Sequence, residues 1–335
     1  MIGLLPDKHG ISDGIYCKGR TGEKMIFNKT LSQIVPLNLW SRIRREKIEH
    51  KHARIVSRLK PLVEACDSYT NPLKTNDKNL KFGKPVLWQY WAQGFDDENM
   101  PGVLKICLSS VDKYAPEFQI IRLSDSNISD YIVLPEWIIR KKQSGIISPT
   151  HFSDILRFAL LSTYGGLWLD CAVLLTGPIP GYITGGDFFL YRRDPSEPDK
   201  KFWESTFAYY FGWSKRHRVN SLIGILYAAK GNKTISDITK ILSEFWRLDD
   251  AVPDYFFLQI IIDLYFDLYP ERSCRVVNDC VPHLLRQIIN GNPSKISNPK
   301  DVFKITTIHS LNYKNTLLGD KLSDVLKKIL NDYNI

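Results

Sequence analysis

The hydrophobic positions change their spacing repeatedly through the middle of the chain. Compact apolar runs predict three buried strands, at 85–91 (PVLWQYW), 118–123 (FQIIRL) and 167–175 (LWLDCAVLL). Helical spacing predicts helices between them, at 101–113 and 150–163. Strands that alternate with helices are typical of an α/β protein with a largely parallel sheet, in which ligands bind at the carboxyl ends of the strands.

Longer apolar segments dominate after residue 200. Their spacing predicts three helices, at 219–229, 234–247 and 254–268. A last strand is predicted at 302–308 and a closing helix at 318–332. The second half of the chain is therefore expected to be mainly helical.

A basic amphipathic helix is predicted at 39–67, with a bend at Pro61. Arg and Lys fill the positions between apolar residues at helical spacing, which are Ile48, Ile55, Leu59 and Leu62. Two interpretations stand equally: the helix docks on an anionic membrane surface, or it packs on the core with a solvated basic face. Nucleic-acid binding is a weaker third interpretation, because no recognised motif or aromatic platform accompanies the charge.

Polar, turn-forming residues at 71–84 predict a linker behind this helix. We therefore predict an N-terminal basic helical extension at 1–80 and one α/β domain at 81–335. The charge agrees with this division, since residues 1–84 hold 17 Lys and Arg against 8 Asp and Glu, whereas the remainder holds 28 of each. With 335 residues, 44% of them hydrophobic, the chain can bury one large core.

The sequence predicts a cytoplasmic protein, at the inner face of the cell membrane if the basic helix docks there. Its first residues, MIGLLPDKHG, lack the pattern of a signal peptide, and no window reaches about 18 uninterrupted apolar residues. The six cysteines form neither a CxxC spacing nor a ladder with His. Buried free thiols are therefore expected rather than a zinc site or a disulfide framework.

Candidate chemistry is concentrated in residues 151–175. Asp154 and Arg157 are three residues apart, so a helix presents this carboxylate and guanidinium on one face. Gly165 and Gly166 follow, where a left-handed cap and close approach of a chain or a ligand are both allowed. The next strand then delivers Asp170, which can hold a ribose hydroxyl or a metal-bound diphosphate. Singly, these features are typical of a surface ion pair and a helix cap, but together they indicate a site.

The stretch HFSDILRFALLSTYGGLWLDCAVLL resembles the core of the capsular polysaccharide synthesis glycosyltransferases. Flanking segments are similar to the family as well, among them PVLWQYWAQG, FWESTFAYYFGW, DYFFLQIIIDLYFDL and IHSLNYK, so the likeness spans residues 40–315. The resemblance implies a GT-A fold: a single Rossmann-like nucleotide-binding α/β domain with a mixed, largely parallel central sheet. It also implies transfer of a sugar from a nucleotide-diphosphate donor, with retention of the anomeric configuration.

The resemblance further implies roles for individual residues. Those expected at the nucleotide are Tyr90, Trp91, Asp125 and Asn127. Those expected at the donor sugar and diphosphate are Asp154, Arg157, Gly165, Gly166 and Asp170. Arg157 and Asp170 are also candidates for catalysis. The expected partners are a nucleotide-sugar donor, with UDP favoured, and a lipid-linked or polysaccharide acceptor, but no nucleic acid.

The chain departs from the family's DxD motif, because Ala172 stands where the second acid belongs. A divalent ion needs oxygen ligands, and a methyl group offers none. Either Asp170 and the diphosphate hold Mn²⁺ or Mg²⁺ with help from elsewhere, for which His309 is the candidate, or Arg157 and other cations stabilise the departing diphosphate. The loss of the acid also motivates an alternative function, a non-catalytic nucleotide-sugar-binding scaffold of a polysaccharide assembly complex.

Asp254 has two interpretations. It opens a strongly apolar helix in PDYFFLQ, where a carboxylate typically accepts hydrogen bonds from backbone N–H groups. As a catalytic candidate it would instead face the acceptor hydroxyl or the donor sugar.

Overall fold

The computed structural model describes residues 37–75, 80–96, 98–313 and 321–335. Its helices, in chain order, are α1 Leu37–Glu64, α2 Gly102–Tyr114, α3 Glu136–Gln143, α4 Pro149–Tyr164, α5 Gly181–Thr184, α6 Lys200–Phe207, α7 Lys233–Leu248, α8 Phe257–Leu268, α9 Leu284–Ile289, α10 Pro299–Ile305 and α11 Lys321–Asp332. Its strands are β1 Lys74–Thr75, β2 Val86–Tyr90, β3 Gln119–Leu123, β4 Ile132–Val133, β5 Gly166–Leu169, β6 Val173–Leu175, β7 Phe188–Arg192, β8 Ser221–Ala228 and β9 Ile308–Ser310.

The central sheet has five strands in the order β3-β2-β5-β8-β7. Strand β2 is parallel to β3 and β5, whereas β8 is antiparallel to both of its neighbours, β5 and β7. Four of the five strands therefore point the same way, and their carboxyl ends share one edge of the sheet. Buried residues from the sheet and the surrounding helices form the core. This architecture confirms the predicted α/β class with a mixed, largely parallel sheet.

Two small ribbons accompany the sheet. Strand β6 pairs antiparallel with β9, so the segment after β5 lies beside the start of the motif IHSLNYK. Strand β1 pairs antiparallel with β4, so the predicted linker includes a short strand. Of the five cysteines described, all are free and four are buried, as the spacing predicts.

Helix α1 packs on the body of the protein through its apolar stripe. Ile55, Leu59 and Val63 belong to the main core, and the helix lies against α7 and α8. Of the two interpretations of this stripe, packing is the one that the structure shows. Several basic residues of α1 also pair with acids elsewhere, as Arg45 does with Glu204. Among the described helices, none combines the length and the apolar character needed to cross a membrane.

Three predicted elements are wrong. Residues 219–229 contain strand β8, not a helix, because both faces of this strand are buried and its sequence therefore lacks the alternation of a half-exposed strand. Residues 302–308 contain most of helix α10, with strand β9 starting only at the end of that range. Residues 167–175 form two strands that turn at Asp170. The helices predicted at 234–247, 254–268 and 318–332 are confirmed, although the last lies partly outside the described residues.

Candidate active site

Asp170 stands at the carboxyl end of β5, directly beside β8. Its backbone N–H donates to the carbonyl of Gly224 (2.9 Å), which fixes the residue against the neighbouring strand. Its side chain remains 42% exposed. The edge of the sheet where an α/β protein binds ligands therefore presents a rigidly mounted, accessible carboxylate.

Two buried donors orient this carboxylate. Arg157 Nη2 donates to Asp170 Oδ1 at 2.9 Å, and Trp168 Nε1 donates to the same oxygen at 2.7 Å. Arg157 Nη1 donates to the carbonyl of Ile223 (2.7 Å), so helix α4 is tied to β8 through this side chain. Arg157 is only 3% exposed. The guanidinium that was expected to touch the donor directly thus lies behind Asp170 and positions it.

Helix α4 supplies Arg157 and is defined at both ends. Ser148 caps its first turn by accepting a hydrogen bond from the N–H of His151, and Pro149 occupies the first helical position. Gly165 ends the helix at φ 72°, in a region that favours glycine. These signals set where the helix begins and ends, and its side-chain contacts place Arg157 against Asp170 with Asp154 beside it.

Asp154 is buried beside Arg157, with Oδ1 3.5 Å from Nη2. Burial raises the pKa of its carboxyl to about 7, since the attraction of Arg157 only partly opposes the loss of hydration and Asp170 adds repulsion. Near neutral pH the Asp154 carboxyl is therefore partly protonated. Of Asp154 and Asp170, only Asp170 is accessible to a ligand.

Gly224 makes room for Asp170, a role that sequence analysis missed. A Cβ atom at this glycine would lie 2.6 Å from Asp170 Oδ2, which is closer than real Cβ contacts allow. The available signal was a glycine inside an apolar run, which typically marks close approach of another group in a strand.

The residues expected at the nucleotide lie at the carboxyl ends of β2 and β3, on the same edge as Asp170. Tyr90 Oη donates to Asp125 Oδ1 at 2.6 Å, and Asp125 also pairs with Lys142. Asn127 Oδ1 accepts a hydrogen bond from the N–H of Ser124 at 2.8 Å, so its amide holds the loop. The structure therefore brings Tyr90 and Asp125 together and gives Asn127 a structural bond.

Trp91 follows β2 and is partly buried. Its ring meets Tyr313 edge-on with a centroid distance of 5.5 Å. Its indole N–H has no partner among the residues that the structure describes. Tyr313 comes from the last motif, IHSLNYK, so that motif reaches the same edge of the sheet as the opening strand.

Gly165 and Gly166 lie at the other end of β5, away from Asp170. A Cβ atom would come within 2.5 Å of the Lys230 backbone N at the first glycine, and within 2.4 Å of the Val86 backbone O at the second. The close approach that these residues permit is thus between segments of the chain itself. The expectation that they bind the donor is corrected on this geometry.

Asp254 has both carboxylate oxygens engaged. Oδ1 accepts a hydrogen bond from the N–H of Phe256 at 2.7 Å, and Oδ2 pairs with Lys51 of α1. The side chain is buried. The structure therefore gives Asp254 a structural role in the turn before α8, and its pair with Lys51 ties α1 to that turn, which corrects its assignment as a catalytic candidate.

His309 is fully buried on β9. Its Nε2 lies 3.0 Å from Thr176 Oγ1, and its ring packs against Phe303. Burial lowers its pKa to about 3, so the ring is neutral. Within the described ranges, the one cluster of three or more potential metal-binding side chains is Cys66, Asp67 and Asp237, and neither Asp170 nor His309 belongs to it. The Mn²⁺ or Mg²⁺ expected at Asp170 therefore stays a prediction.

Tyr255 is a further residue at this edge that sequence analysis did not single out. Tyr255 follows Asp254 at the entry to α8 and is half-exposed. Its ring centroid lies 5.9 Å from that of His151 in α4. The charges of Asp154 and Asp170 both act on its phenol. An exposed aromatic ring thus stands beside the carboxylate site.

The fold and the site together define a class of protein. It is an α/β domain that presents an oriented carboxylate at the carboxyl edge of its sheet. Within that class, the chain belongs to the capsular polysaccharide synthesis protein family, whose match covers residues 34–329.

Two individual proteins are also similar. The O-glycosyltransferase braB of Annulohypoxylon truncatum is 29% identical over 110 residues, which is 30% of this chain and 24% of the relative. The chain therefore matches about a quarter of that relative's length. The PaToxG glycosyltransferase structure aligns at 14% identity with a TM-score of 0.34, over 68% of this chain and 80% of the other.

Proposed function

We propose that this protein is a hexosyltransferase that transfers a sugar from a nucleotide-diphosphate sugar, with UDP as the favoured nucleotide, to a surface polysaccharide or a lipid-linked oligosaccharide. The observation that carries the proposal is Asp170, held at the ligand-binding edge by Arg157 and Trp168. Membership of the capsular polysaccharide synthesis family supports the class of reaction. A matched relative that is named an O-glycosyltransferase supports it as well.

The proposed reaction retains the anomeric configuration. The acceptor hydroxyl oxygen forms a bond to the anomeric carbon as the bond from that carbon to the diphosphate oxygen breaks, and the diphosphate oxygen takes the hydroxyl proton. The protein contributes orientation and charge. Asp170 Oδ1 is occupied by its two donors, so Oδ2 is the oxygen that contacts the donor substrate. In this proposal Tyr90 and Asp125 contact the nucleotide.

The expected Mn²⁺ or Mg²⁺ remains a prediction. Magnesium in nucleotide sites is typically bound through one or two carboxylates together with substrate phosphates. Asp170 Oδ2 offers one such ligand, and the ion would supply positive charge to the diphosphate. Comparing donor hydrolysis with and without a chelator tests this directly, because a rate that the chelator leaves unchanged contradicts the need for a metal.

The donor is tested by incubating the protein with a panel of UDP- and GDP-sugars and Mn²⁺, and measuring free nucleotide diphosphate. We expect slow hydrolysis of one donor, and Asp170→Asn to lower its rate by about 100-fold or more. Asp250→Asn is the control, because its side chain is 70% exposed and lies in an ordinary ion pair with Lys141. Normal turnover in Asp170→Asn would overturn the site assignment.

The scaffold alternative is favoured by one observation, Ala172 in place of the second acid. It predicts that a nucleotide sugar raises the unfolding temperature while no donor of the panel is hydrolysed or transferred. Hydrolysis that depends on Asp170 contradicts the scaffold.

A further inference from the structure

Asp125 is mounted at the ligand-binding edge of the sheet in the same way as Asp170. Its Oδ1 receives two donors, the hydroxyl of Tyr90 at 2.6 Å and the ammonium group of Lys142. Its Oδ2 accepts no hydrogen bond from any residue that the structure describes, and the side chain is 45% exposed. The two carboxylates therefore share one pattern: a cation and a neutral group donate to Oδ1, while Oδ2 has no protein donor among these residues.

Lys142 is held in place by a buried aromatic ring. Its Nζ lies 4.2 Å from the centroid of the Phe152 ring, and its side chain is only 21% exposed. A cation over the face of an aromatic ring is attracted by that ring. Phe152 belongs to α4, is 2% exposed, and has its ring centroid 5.9 Å from that of Tyr90. One buried ring therefore packs against both of the groups that donate to Asp125.

The backbone on each side of this ion pair is also anchored. Lys142 lies in the last turn of α3, where the preceding residue, Lys141, donates to the carbonyl of Trp246 at the end of α7. Neighbouring helical positions project about 100° apart, so Lys141 fastens α3 to α7 while Lys142 reaches Asp125. The backbone N–H of Asp125 donates to the carbonyl of Ala92 at 3.1 Å. Lys142 and Asp125 thus meet from two fixed segments.

The chemistry of Asp125 limits what it can recognise. A carboxylate only accepts hydrogen bonds, so Oδ2 suits a hydroxyl and repels a phosphate. Strands β3 and β5 flank β2, which places their ends about 10 Å apart at the usual spacing of strands. In a nucleotide sugar the diphosphate separates the ribose from the transferred sugar, so one ligand can reach both strand ends. With the sugar and diphosphate at Asp170, the ribose lies toward Asp125.

We propose that Lys142 is a positioning residue: together with Tyr90, it orients Asp125 so that Oδ2 accepts a hydrogen bond from a ribose hydroxyl of the nucleotide. The inference rests on the function proposed above, because it needs a nucleotide as the ligand. Lys142 acts through Asp125 and not on the ribose itself. Exposed ion pairs contribute little to stability, so loss of Lys142 should impair recognition of the hydroxyl while the fold persists.

The test measures the preference for this hydroxyl, by isothermal titration calorimetry on the full chain with UDP, 2′-deoxy-UDP and 3′-deoxy-UDP. The wild type should bind UDP about tenfold more tightly than one of the deoxy analogues, which corresponds to one hydrogen bond to a charged group. Lys142→Gln should reduce this ratio to about threefold or less, because Asp125 loses one of its two donors. Lys142→Arg keeps a cation for the carboxylate and should retain most of the ratio.

The ratio separates positioning from a merely structural or electrostatic role. Loss of a positive charge, or loosening of α3, would weaken the binding of all three nucleotides alike, and an unchanged ratio in Lys142→Gln would overturn the proposal. Arg140→Gln is the matched control, because it removes a charge from the same helix at a side chain that is 65% exposed. It should leave the ratio unchanged.

A double variant tests whether Lys142 acts through Asp125. Asp125→Asn alone should lower the ratio, and adding Lys142→Gln should lower it no further, since residues that act through one group are not additive. Additive losses would contradict the proposed route.

Tyr90→Phe keeps the proposal testable if the Lys142 variants do not fold. It removes the other donor to the same oxygen and should lower the same ratio. GDP and its deoxy analogues replace UDP if the wild type binds GDP more tightly. An unchanged ratio in Tyr90→Phe, equal affinity of the wild type for a nucleotide and its deoxy analogues, or no binding of either nucleotide would each contradict the positioning role.

This result is distinguishable from the outcome for the transferase. A hydroxyl preference that Lys142→Gln abolishes, in a protein that hydrolyses no donor, would support the positioning role and contradict the transferase. A protein that hydrolyses a donor and keeps its hydroxyl preference in Lys142→Gln would contradict the positioning role alone.

Discussion

Asp170 presents its two carboxylate oxygens differently. Oδ1 receives both the Arg157 and the Trp168 hydrogen bonds, while Oδ2 lies over the Cα atom of Gly224. The first oxygen fixes the orientation of the group, and the second is the oxygen that we propose contacts the donor. Preorganised groups of this kind contribute to catalysis because they need no rearrangement during the reaction.

Gly224→Ala should disable the site while leaving the fold intact. The new methyl group would overlap Asp170 Oδ2 and turn the carboxylate away from its two donors. We expect donor hydrolysis to fall by about tenfold or more, measured together with the unfolding temperature. Gly186→Ala is the control, since a Cβ atom there meets nothing within 4 Å. Full activity in Gly224→Ala would show that the position of Asp170 is not critical.

Asp154 predicts a specific dependence of stability on pH. Its pKa is raised from the ordinary value of 3.8 to about 7 in the folded protein, so between these values the folded state holds a proton that the unfolded state has lost. The free energy of unfolding should therefore decrease as pH rises from 4 to 7, by at most about 1.4 kcal/mol per pH unit from this group. Urea unfolding of wild type and Asp154→Asn across that range measures the difference. Parallel pH profiles for the two proteins would contradict the raised pKa.

The sequence identified the charged residues of the Asp170 site and missed Trp168 and Gly224, the uncharged residues that arrange Asp170. Asp154, Arg157 and Asp170 lie within one short stretch, so a helical period and a following strand bring them together. Gly224 acts through a contact with Asp170, which lies 54 residues earlier in the chain, so no local spacing encodes it. For Asp254, the sequence supports both a structural role and a catalytic role. Its contact with Lys51 on another helix distinguishes the two roles.

At the scale of elements, α1 is part of the core rather than a detachable extension. Leu59→Ala should lower the free energy of unfolding by about 2–5 kcal/mol, because Leu59 is 2% exposed. Leu39→Ala, at a residue that is 47% exposed on the same helix, should change it by less than about 0.5 kcal/mol. Chemical denaturation measures both. Equal effects would mean that the helix packs only loosely.

This packing changes the design of any truncation. Removing residues 1–70 to test membrane contact would also expose the apolar surface that Ile55 and Val63 cover. Point substitutions on the exposed side of α1 are therefore the appropriate test of its basic charge.

Strand assignments from sequence succeeded where apolar runs were short and bounded by turns, as in β2 and β3. They failed at β8, because a central strand with two buried faces has the same uniformly apolar composition as a buried helix. Neighbouring strands decide such a case, and they lie far away in the sequence. For the same reason, the sequence does not predict the order of the five strands in the sheet. It does predict that the sheet is largely parallel.

At the scale of the whole molecule, the charge of +9 supports one untested prediction, contact of the exposed basic side of α1 with an anionic membrane, because the apolar side of that helix packs on the core. We expect the protein to sediment with vesicles that contain phosphatidylserine and to be released as salt rises, since each basic residue near such a surface adds about 1 kcal/mol. Arg54→Glu on α1 should weaken this association. Arg140→Glu, at an exposed residue of α3 that pairs with Glu136, is the matched control. Equal weakening by both would indicate a diffuse charge effect and contradict docking through α1.

Strand β8 runs against its neighbours, so the segment that enters it reaches the same edge as the segments that leave β5 and β7. Residues 194–220 therefore reach the edge that presents Asp170 without belonging to the strand that holds it. Relatives could change this segment by substitution or insertion and accept a different sugar or acceptor, while the mounting of the carboxylate stays the same. Divergence in substrate preference within the family is thus expected to concentrate here.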